Sequence, residues 1–400
     1  MKILQVNTVY GYGSTGMIAK ELHDTCVGEG IKCLSAHRCV SKGQEALADS
    51  IAISSPVDMR IHGALSRFTM HKGLFSFFKT RAFIKKAKKY RPDIIHLHNL
   101  HGSYINLPLL FKYIKSENIP VVWTLHDCWA FTGICAHFSA AGCDRWTYGC
   151  GDCPQRKKLS SCPFDLSARM YSLKKKWFTG VQRLTVVTPS RWLSELVRGS
   201  FLKEYSVECI YNGVDLDVFR PSRSDFRERY GLADKKIVLG VAFGWSYEKG
   251  LDVFTELACR LPKDYAIVLV GTDDSVDRSL PPRIISIHRT DNTAELASVY
   301  TAADVFVNPT REEVLGLVNI EALACGTPVV TFKAGGSPEC IDGSCGVAVD
   351  IDDVDGIEKE ILRICTDAPY SVDDCVKRAR IFDKKKMLME YIDLYKSKNA

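Results

Sequence analysis

The chain contains two successive series of short apolar runs separated by helical patterns. The first series reads MKILQV, KCLSAH, DSIAI, DIIHLH, VVWTLH and LTVVTP. After VECIYNGVD the alternation begins again, with KIVLGVA, AIVLVG, IISIH, DVFVNP, PVVTF and GVAVD. Runs that are apolar at every position, rather than at alternate positions, are typical of parallel strands buried on both faces. The sequence therefore predicts an α/β fold with two doubly wound domains.

Composition is consistent with two domains. The 400 residues are 46% hydrophobic, which is enough for two cores of ordinary size. We place a first domain at residues 1–205, a second at 206–374, and a charged terminal helix at 375–400. No apolar run is long enough to span a bilayer, and the N-terminal residues do not have the order of a cleavable leader. We therefore expect a cytoplasmic protein.

Positive charge is concentrated in one segment of the first domain. Residues 60–91 contain ten Lys and Arg residues and no acidic residue, whereas the rest of the chain is net acidic. Apolar residues lie between the bases, as in a basic amphipathic helix pair that rests on an anionic membrane surface. A solvated helix face explains the pattern equally well. Nucleic-acid binding is disfavoured, because no nucleic-acid module accompanies the charge.

A glycine-rich segment follows the first apolar run. Gly11, Gly13 and Gly16 match G-x-G-x-x-G before a helical pattern, as in a dinucleotide-binding fingerprint. The acidic residue expected at the end of the second strand is missing from LSAHRCV, although Arg38 in that segment suits a 2′-phosphate. An NADP-dependent oxidoreductase therefore remains one alternative.

Two carboxylates bracket a helix start in the second domain. Glu313 precedes Gly316, and Glu321 lies within the helical pattern that follows. The backbone N–H groups of Gly316, Leu317 and Val318 would suit a pyrophosphate, and the carboxylates would accept hydrogen bonds from sugar hydroxyls. A helix-compensating Glu and a solvated Glu are the alternatives.

Other candidate residues follow strands. Lys249 comes between a strand and a helix, where the helix dipole disfavours a cation and a phosphate would favour one. His126 ends the run VVWTLH, at the sheet edge where open α/β folds bind ligands. His96, His98 and His101 cluster after the preceding run and predict either a cleft lining or a metal site.

Sixteen cysteines are present, and six of them lie in an insertion at about residues 128–162. Cys135, Cys143, Cys150 and Cys153 have the spacing C-x7-C-x6-C-x2-C. Four thiolates with one CxxC unit suit a tetrahedral structural zinc. Unligated thiols are the alternative, as is a nucleic-acid zinc finger that would leave both α/β domains unexplained.

These motifs together resemble the retaining glycosyltransferases of family 4. The resemblance covers GSTGMIAKEL, TLHD, YNGVD, EKG, LASVYTAADVFVNP and EVLGLVNIEALACGTPVV, in the order that the family requires. It implies the GT-B fold, which has two facing Rossmann-like domains and a terminal helix that packs back on the first domain. An Arg usual in the phosphate loop of the family is absent, because Gly244 and Trp245 occupy that region.

The resemblance also implies roles for single residues. His126, Lys249 and Glu313 would serve the reaction. The donor would be bound by Gly13 and Gly16 of the first loop, by Lys249, and by the helix start with its carboxylates: Gly316, Leu317, Val318 and Glu321.

The resulting hypothesis is a retaining glycosyltransferase of hexosyl type in surface polysaccharide or glycolipid biosynthesis. It would use a UDP- or GDP-sugar and a saccharide or lipid-linked saccharide acceptor, at the inner face of the cytoplasmic membrane. No cofactor would be required for transfer, and no nucleic acid would bind. A phosphorylase or epimerase on the same fold stays open beside the oxidoreductase.

Overall fold

The computed structural model describes residues 1–39 and 49–399, and the chain divides into two compact units. The first unit contains Met1–Ile210 together with Leu388–Ala400, and the second unit contains Tyr211–Met387. Val40 and Ala400, which end two of the segments considered above, lie outside the described residues.

The first unit is built on a seven-stranded parallel sheet with the order β3-β2-β1-β4-β5-β6-β7. Three of its strands are buried at every residue, and the first strand is buried at all but its first residue, as their apolar runs predict. The strands are β1 (Lys2–Val6), β2 (Lys32–His37), β3 (Ser50–Ala52), β4 (Ile94–Leu97), β5 (Val121–Thr124), β6 (Leu184–Thr188) and β7 (Ser206–Cys209).

Helices follow most of these strands. They are α1 (Gly13–Gly28), α2 (Pro56–Thr69), α3 (Phe77–Tyr90), α4 (Leu107–Glu117), α5 (Arg156–Leu159), α6 (Ser167–Phe178) and α7 (Arg191–Gly199). The α2 N-terminus has a capping serine, because the Ser55 side chain accepts a hydrogen bond from the Asp58 amide and Pro56 opens the helix. Short 3-10 turns at Trp129–Phe131 and Arg145–Thr147 are the regular structure between β5 and α5 within the described residues.

The second unit has a six-stranded parallel sheet with the order β10-β9-β8-β11-β12-β13. Two apolar clusters of buried residues pack in this unit. The strands are β8 (Lys236–Val241), β9 (Tyr265–Val270), β10 (Ile284–Ile287), β11 (Val305–Asn308), β12 (Val329–Phe332) and β13 (Gly346–Val349).

The helices of the second unit complete the alternation. They are α8 (Phe226–Arg229), α9 (Leu251–Arg260), α10 (Asp274–Asp277), α11 (Thr293–Ala302), α12 (Leu317–Ala324), α13 (Val354–Asp367) and α14 (Val372–Ala379), with 3-10 turns at Tyr247–Lys249, Ser337–Cys340 and Arg380–Phe382. The last helix, α15 (Lys384–Asn399), begins in the second unit and belongs to the first unit from Leu388 onward. The predicted fold class, α/β with two doubly wound parallel sheets, is confirmed.

The unit limits differ from the sequence-based ranges at both ends of the second unit. β7 pairs with β6, so that the first unit extends to Ile210 rather than to residue 205. The predicted terminal segment 375–400 is divided, because the second unit continues to Met387. Val214 exchanges backbone hydrogen bonds with Phe382 and Lys384, which holds this part of the chain in the second unit.

Both sheets reverse their strand order next to their first strand. The reversal lies between β1 and β4 in the first unit and between β8 and β11 in the second. Open α/β sheets bind ligands at the carboxyl ends of the strands at such a reversal. In the second unit, the loops that follow β8 and β11 are therefore the expected position of a ligand site.

One further property concerns membranes. In the part of the chain that the structure describes, no helix combines the length and the apolar character required to cross a bilayer.

Candidate active site

The loops after β8 and β11 meet closely in the second unit. Gly250 has φ +76°, and a Cβ atom there would come within 2.5 Å of Pro309, so this contact requires glycine. The Arg311 amide donates to the Glu248 carbonyl at 2.9 Å, which joins the two loops. The chain around Lys249 is therefore held against the chain that leads to Glu313.

Lys249 and Glu313 form an ion pair across these loops. The distance from Nζ to Oε2 is 3.1 Å, and both side chains are partly exposed. The other oxygen of Glu313 accepts a hydrogen bond from the Val314 amide. The structure thus brings together two residues that are 64 positions apart in the sequence and were both predicted to act at the donor.

Arg311 is the residue of this region that sequence reasoning missed. Its guanidinium is buried and forms a bidentate pair with Asp252, with distances of 2.9 and 2.8 Å. It also bonds to Asp352 at 2.7 Å and lies 3.8 Å from the ring centre of Tyr247. These partners come from three separate segments, so Arg311 stabilises the loop that carries Lys249.

The backbone of Glu313 is fixed by a glycine pair after β12. Gly335 has φ +55°, and a Cβ atom on it would lie 1.7 Å from the Glu313 carbonyl oxygen. The Gly336 amide donates to that same oxygen at 3.2 Å. Only glycine permits this approach.

The helix start predicted for a pyrophosphate is present. α12 begins at Leu317, and Gly316 is its N-cap with φ +91°. The amides of Gly316, Leu317 and Val318 therefore precede the first hydrogen bonds within the helix, so they are oriented toward any anion at this end.

Glu321 lies one turn into α12 and is paired with a buried tyrosine. The Tyr300 hydroxyl donates to Oε2 of Glu321 at 2.9 Å, and Tyr300 is fully buried. Burial raises the pKa of Glu321 to about 7. This carboxyl group therefore gains a proton near neutral pH.

In the first unit, the predicted histidines form a packed row at the ends of β4 and β5. His98 Nδ1 lies 3.1 Å from His126 Nε2, and their rings stack with an interplanar angle of 9°. His96 bonds to Tyr395 at 2.5 Å and to Thr124 at 2.8 Å. Burial lowers the pKa of His96 to about 3 and that of His126 to about 4, so both rings are neutral at pH 7.

His101 lies apart from this row. Its Nε2 is 2.8 Å from Asp127, the residue after His126. Burial tends to raise the pKa of Asp127, but the neighbouring His101 and its hydrogen bonds hold that pKa below its usual value. Within residues 1–39 and 49–399, these histidines do not form a set of three ligand atoms close enough together for a metal ion.

The four predicted zinc cysteines line one small cavity of about 20 Å³: Cys135, Cys143, Cys150 and Cys153. Burial raises the pKa of Cys150 to about 11, and the nearby thiols of Cys135 and Cys143 act in the same direction. Among the described residues, the potential ligands whose atoms all lie within 4.8 Å are Asp274, Asp277 and His288, which are exposed. No three of the cysteine sulfurs meet that distance, so a shared ion would require side-chain rotation.

Two family models match the chain. One, described as Glycosyltransferase Family 4, matches residues 37–218, and the other, described as Glycosyl transferases group 1, matches residues 235–367. The chain belongs to the glycosyltransferases. A relative of full length is a protein of Escherichia coli K12 named as the colanic acid biosynthesis glycosyl transferase WcaC, with 22% identity over 99% of this chain and 100% of WcaC.

A second relative of this glycosyltransferase matches over a shorter length. It is the GDP-mannose-dependent alpha-(1-6)-phosphatidylinositol monomannoside mannosyltransferase of Mycolicibacterium smegmatis, with 34% identity over 44% of this chain. The match spans about half of that relative, 52% of its length.

Solved structures share the fold. Sucrose-phosphate synthase of Thermosynechococcus elongatus superposes with a TM-score of 0.74 at 20% identity, over 99% of this chain and 98% of the synthase. HepE of Anabaena in complex with UDP-glucose gives a TM-score of 0.68 at 16% identity, over 99% of this chain and 100% of HepE.

The assignment to the glycosyltransferases leaves the oxidoreductase alternative without support. The glycine-rich segment that suggested this alternative has a role in packing. A Cβ atom on Gly16 would come within 3.1 Å of Val9, so Gly16 permits α1 to approach its own loop. Gly13 opens α1 with φ +64° and open space beside it. Arg38, the residue considered for a 2′-phosphate, donates to the Tyr12 hydroxyl at 2.7 Å.

Gly244 and Trp245 lie where the family resemblance leads us to expect an arginine. Gly244 has φ +96°, and the Trp245 indole donates to the Val270 carbonyl at 3.1 Å. The Trp245 ring packs edge-on against Phe254. The loop is therefore anchored by an aromatic residue, and Lys249 is the cation that it carries toward Glu313.

Proposed function

We propose that this glycosyltransferase is a retaining hexosyltransferase that uses a UDP- or GDP-sugar and a saccharide acceptor, free or lipid-linked. The observation that carries the proposal is the convergence of Lys249, Glu313 and the α12 N-terminus at the strand reversal of the second unit. HepE was solved with UDP-glucose, and the mycobacterial relative is named for GDP-mannose, which supports a nucleotide-sugar donor.

The role proposed for each residue follows from the chemistry of its side chain or backbone. As the bond from the anomeric carbon to the diphosphate breaks, negative charge grows on the diphosphate, and Lys249 and the α12 amides stabilise it. Glu313 binds sugar hydroxyls, and Glu321 binds the ribose through the oxygen that Tyr300 does not occupy. His126, as a neutral ring, binds a sugar hydroxyl. With these groups, transfer requires no cofactor.

A panel of nucleotide-sugars tests the donor assignment. We expect one UDP- or GDP-sugar to raise the melting temperature of the wild-type protein, and Glu321→Ala to weaken that effect. Release of nucleotide only after addition of a saccharide acceptor separates transfer from a phosphorylase or epimerase. An unchanged donor affinity in Glu321→Ala removes the ribose role, and inversion at the anomeric carbon of the product, read by NMR, contradicts retention.

We also propose that α2 and α3 rest on an anionic membrane surface, at the inner face of the cytoplasmic membrane. The apolar residues Val57, Ile61, Leu65 and Phe68 are exposed and lie on one face of α2. Both α2 and α3 also carry exposed Lys and Arg residues, and no acidic residue lies between residues 60 and 91. Apolar contact and attraction to acidic lipids would act together.

Vesicle binding tests this surface. Wild-type protein should sediment with vesicles of phosphatidylcholine and phosphatidylglycerol and much less with phosphatidylcholine alone. Ile61→Ser/Phe68→Ser should lose that binding. Ile351→Ser, which changes an exposed apolar residue of the second unit, is the matched control. Equal binding by the double variant and by wild type removes the proposal.

A structural zinc held by Cys135, Cys143, Cys150 and Cys153 is the third proposal. Its support is the shared cavity of these thiols in a segment with little regular structure. Metal binding would offset the energetic cost of burying the thiols by stabilising them as thiolates. About one zinc per chain is expected in purified protein, with loss in Cys143→Ser/Cys150→Ser and retention in Cys259→Ser, which changes an exposed cysteine of the second unit. A folded wild type without zinc contradicts it.

A further inference from the structure

We propose that a basic pocket in the first unit binds a phosphate-bearing end of the acceptor saccharide, an inference that rests on the proposed glycosyl transfer. The pocket has a volume of about 470 Å³, within the range of small-molecule sites. Three parts of the chain line it: α2 with Arg67, the loop after β4 with Ser103, and the cysteine-rich insertion with Lys157 and Ser160.

The charge of the pocket favours an anion. Arg67, Lys72, Lys157 and Lys158 line it, and no carboxylate lines it in the described part of the chain. His101, which also lines the pocket, is paired with Asp127. Cations grouped in a cleft attract a phosphate through charge-assisted hydrogen bonds.

Two buried nitrogen atoms of the lining residues have no hydrogen-bond partner among the residues that the structure describes. They are Nε1 of Trp129 and Nε2 of His62, whose side chains are almost fully buried. A buried polar atom without a partner costs free energy, and a ligand that bonds to it recovers that cost. Both atoms have almost no accessible surface, so a ligand in the pocket would reach them only after a small movement of the lining, and the indole N–H would then be a donor suited to an oxygen.

The hydrogen bonds of the His62 ring indicate whether its unpartnered Nε2 atom is a donor or an acceptor. The Ser76 hydroxyl donates to Asp58 at 2.6 Å, so Nδ1 of His62 donates to Ser76 across 2.7 Å. In the neutral ring, Nε2 is then an acceptor. Burial lowers the pKa of His62 to about 4, so the ring is neutral at pH 7. A sugar hydroxyl is a matching donor, which leaves the phosphate to the cations and to Trp129.

The insertion builds one wall of this pocket. The Ser160 hydroxyl and the Ser161 amide both donate to the Arg67 carbonyl, at 2.8 and 3.2 Å. Lys72 donates to the Ile134 carbonyl at 3.2 Å, which joins the opposite side of the pocket to the start of the insertion. The pocket therefore depends on a segment separate from every residue assigned to the donor.

The phosphate can belong to a soluble saccharide phosphate or to a lipid diphosphate. The exposed apolar residues Ile61, Leu65 and Phe68 lie on the same helix as Arg67, so a lipid chain beside α2 is compatible with its phosphate in the pocket. The shared chemistry is the phosphate. Inorganic pyrophosphate and geranyl diphosphate separate the two sources as probes.

Titration calorimetry with these two probes tests the proposal on the full-length protein. Lys157→Gln/Lys158→Gln should bind about tenfold more weakly than wild type. Lys175→Gln/Lys176→Gln removes the same charge from exposed positions of α6 outside the pocket and should bind as wild type does. Binding of geranyl diphosphate but not of pyrophosphate supports the lipid source, and comparable binding of both supports the soluble one.

A third variant separates the pocket from the donor site. If Lys249→Gln abolishes probe binding while Lys157→Gln/Lys158→Gln leaves it unchanged, the probes bind in the second unit and the inference is overturned. Failure of both probes to bind wild type also overturns it. Nucleotide-sugar binding, measured in parallel, should be equal in wild type and Lys157→Gln/Lys158→Gln. Absence of that binding in wild type counts against the proposed function alone.

Discussion

Nζ of Lys249 lies 3.1 Å from Oε2 of Glu313, so the candidate phosphate cation is already paired with the candidate sugar carboxylate. A diphosphate beside Lys249 would join this pair, and Glu313 would then be released in part to accept a hydroxyl. The ion pair thus connects the two halves of donor recognition.

Replacing Lys249 tests its role in transfer. Lys249→Gln should lower kcat/KM by about 100-fold, because a cation that stabilises the leaving diphosphate is lost. Steady-state kinetics measure this directly. The control is Lys333→Gln, which breaks a different ion pair of the second unit, the exposed pair between Lys333 and Asp350 at 2.7 Å. Similar losses in both variants would mean that the effect is not specific to Lys249.

The buried carboxyl group of Glu321 predicts a pH dependence of stability. Its folded pKa of about 7 exceeds the ordinary 4.5. Its contribution is therefore fully present below the unfolded pKa and is lost as pH rises through 7. We expect Glu321→Gln to gain stability relative to wild type between about pH 5 and pH 8, by at most about 3 kcal/mol. Urea unfolding at both pH values measures it, and a pH-independent difference contradicts the prediction.

We expect that lysine cannot replace Arg311 without a loss of stability. Arg311→Lys loses the bidentate bond to Asp252 and the contact with the Tyr247 ring, which should cost about 2 kcal/mol of unfolding free energy and weaken donor binding. Arg260→Lys, at an exposed network with Asp355 and Glu358, should change little. Denaturant midpoints compare the two, and equal midpoints would contradict the role of Arg311.

Gly335 provides a backbone test of the Glu313 position. Gly335→Ala should cost about 3 kcal/mol or more and abolish donor binding, because its Cβ atom would overlap the Glu313 carbonyl at a positive φ. Gly343→Ala meets no atom within 4 Å and should be tolerated. Thermal melts and donor binding distinguish the variants, and a fully active Gly335→Ala would contradict the close approach.

The sequence predicts the parts of this protein that local pattern controls. Strands such as β1 and β8 follow directly from apolar runs, and the α12 start follows from Gly316 and the helical pattern after it. Lys249 and Glu313 were identified separately by position and by resemblance. The contact between Lys249 and Glu313 was not predicted, because it depends on which loops the strand order of the sheet brings together.

The residues that were missed are those whose partners are distant in the sequence. Arg311 bonds to Asp252 and Asp352, and no local pattern distinguishes it from a surface arginine. His62 lies in a basic segment whose charge indicates a surface, yet its ring is buried against Ser76. Such roles depend on tertiary packing, and single-sequence periodicity does not contain them.

The two tyrosines of α15 have a consequence for biosynthesis. Tyr395 bonds to His96 and Tyr391 bonds to Thr124 at 3.0 Å, inside the first unit. These tyrosines are translated only after the whole second unit has been synthesised. Until then the β4–β5 end of the first sheet has polar groups without partners, so a nascent first unit should remain protease-sensitive and a fragment of residues 1–210 should need α15 supplied in trans.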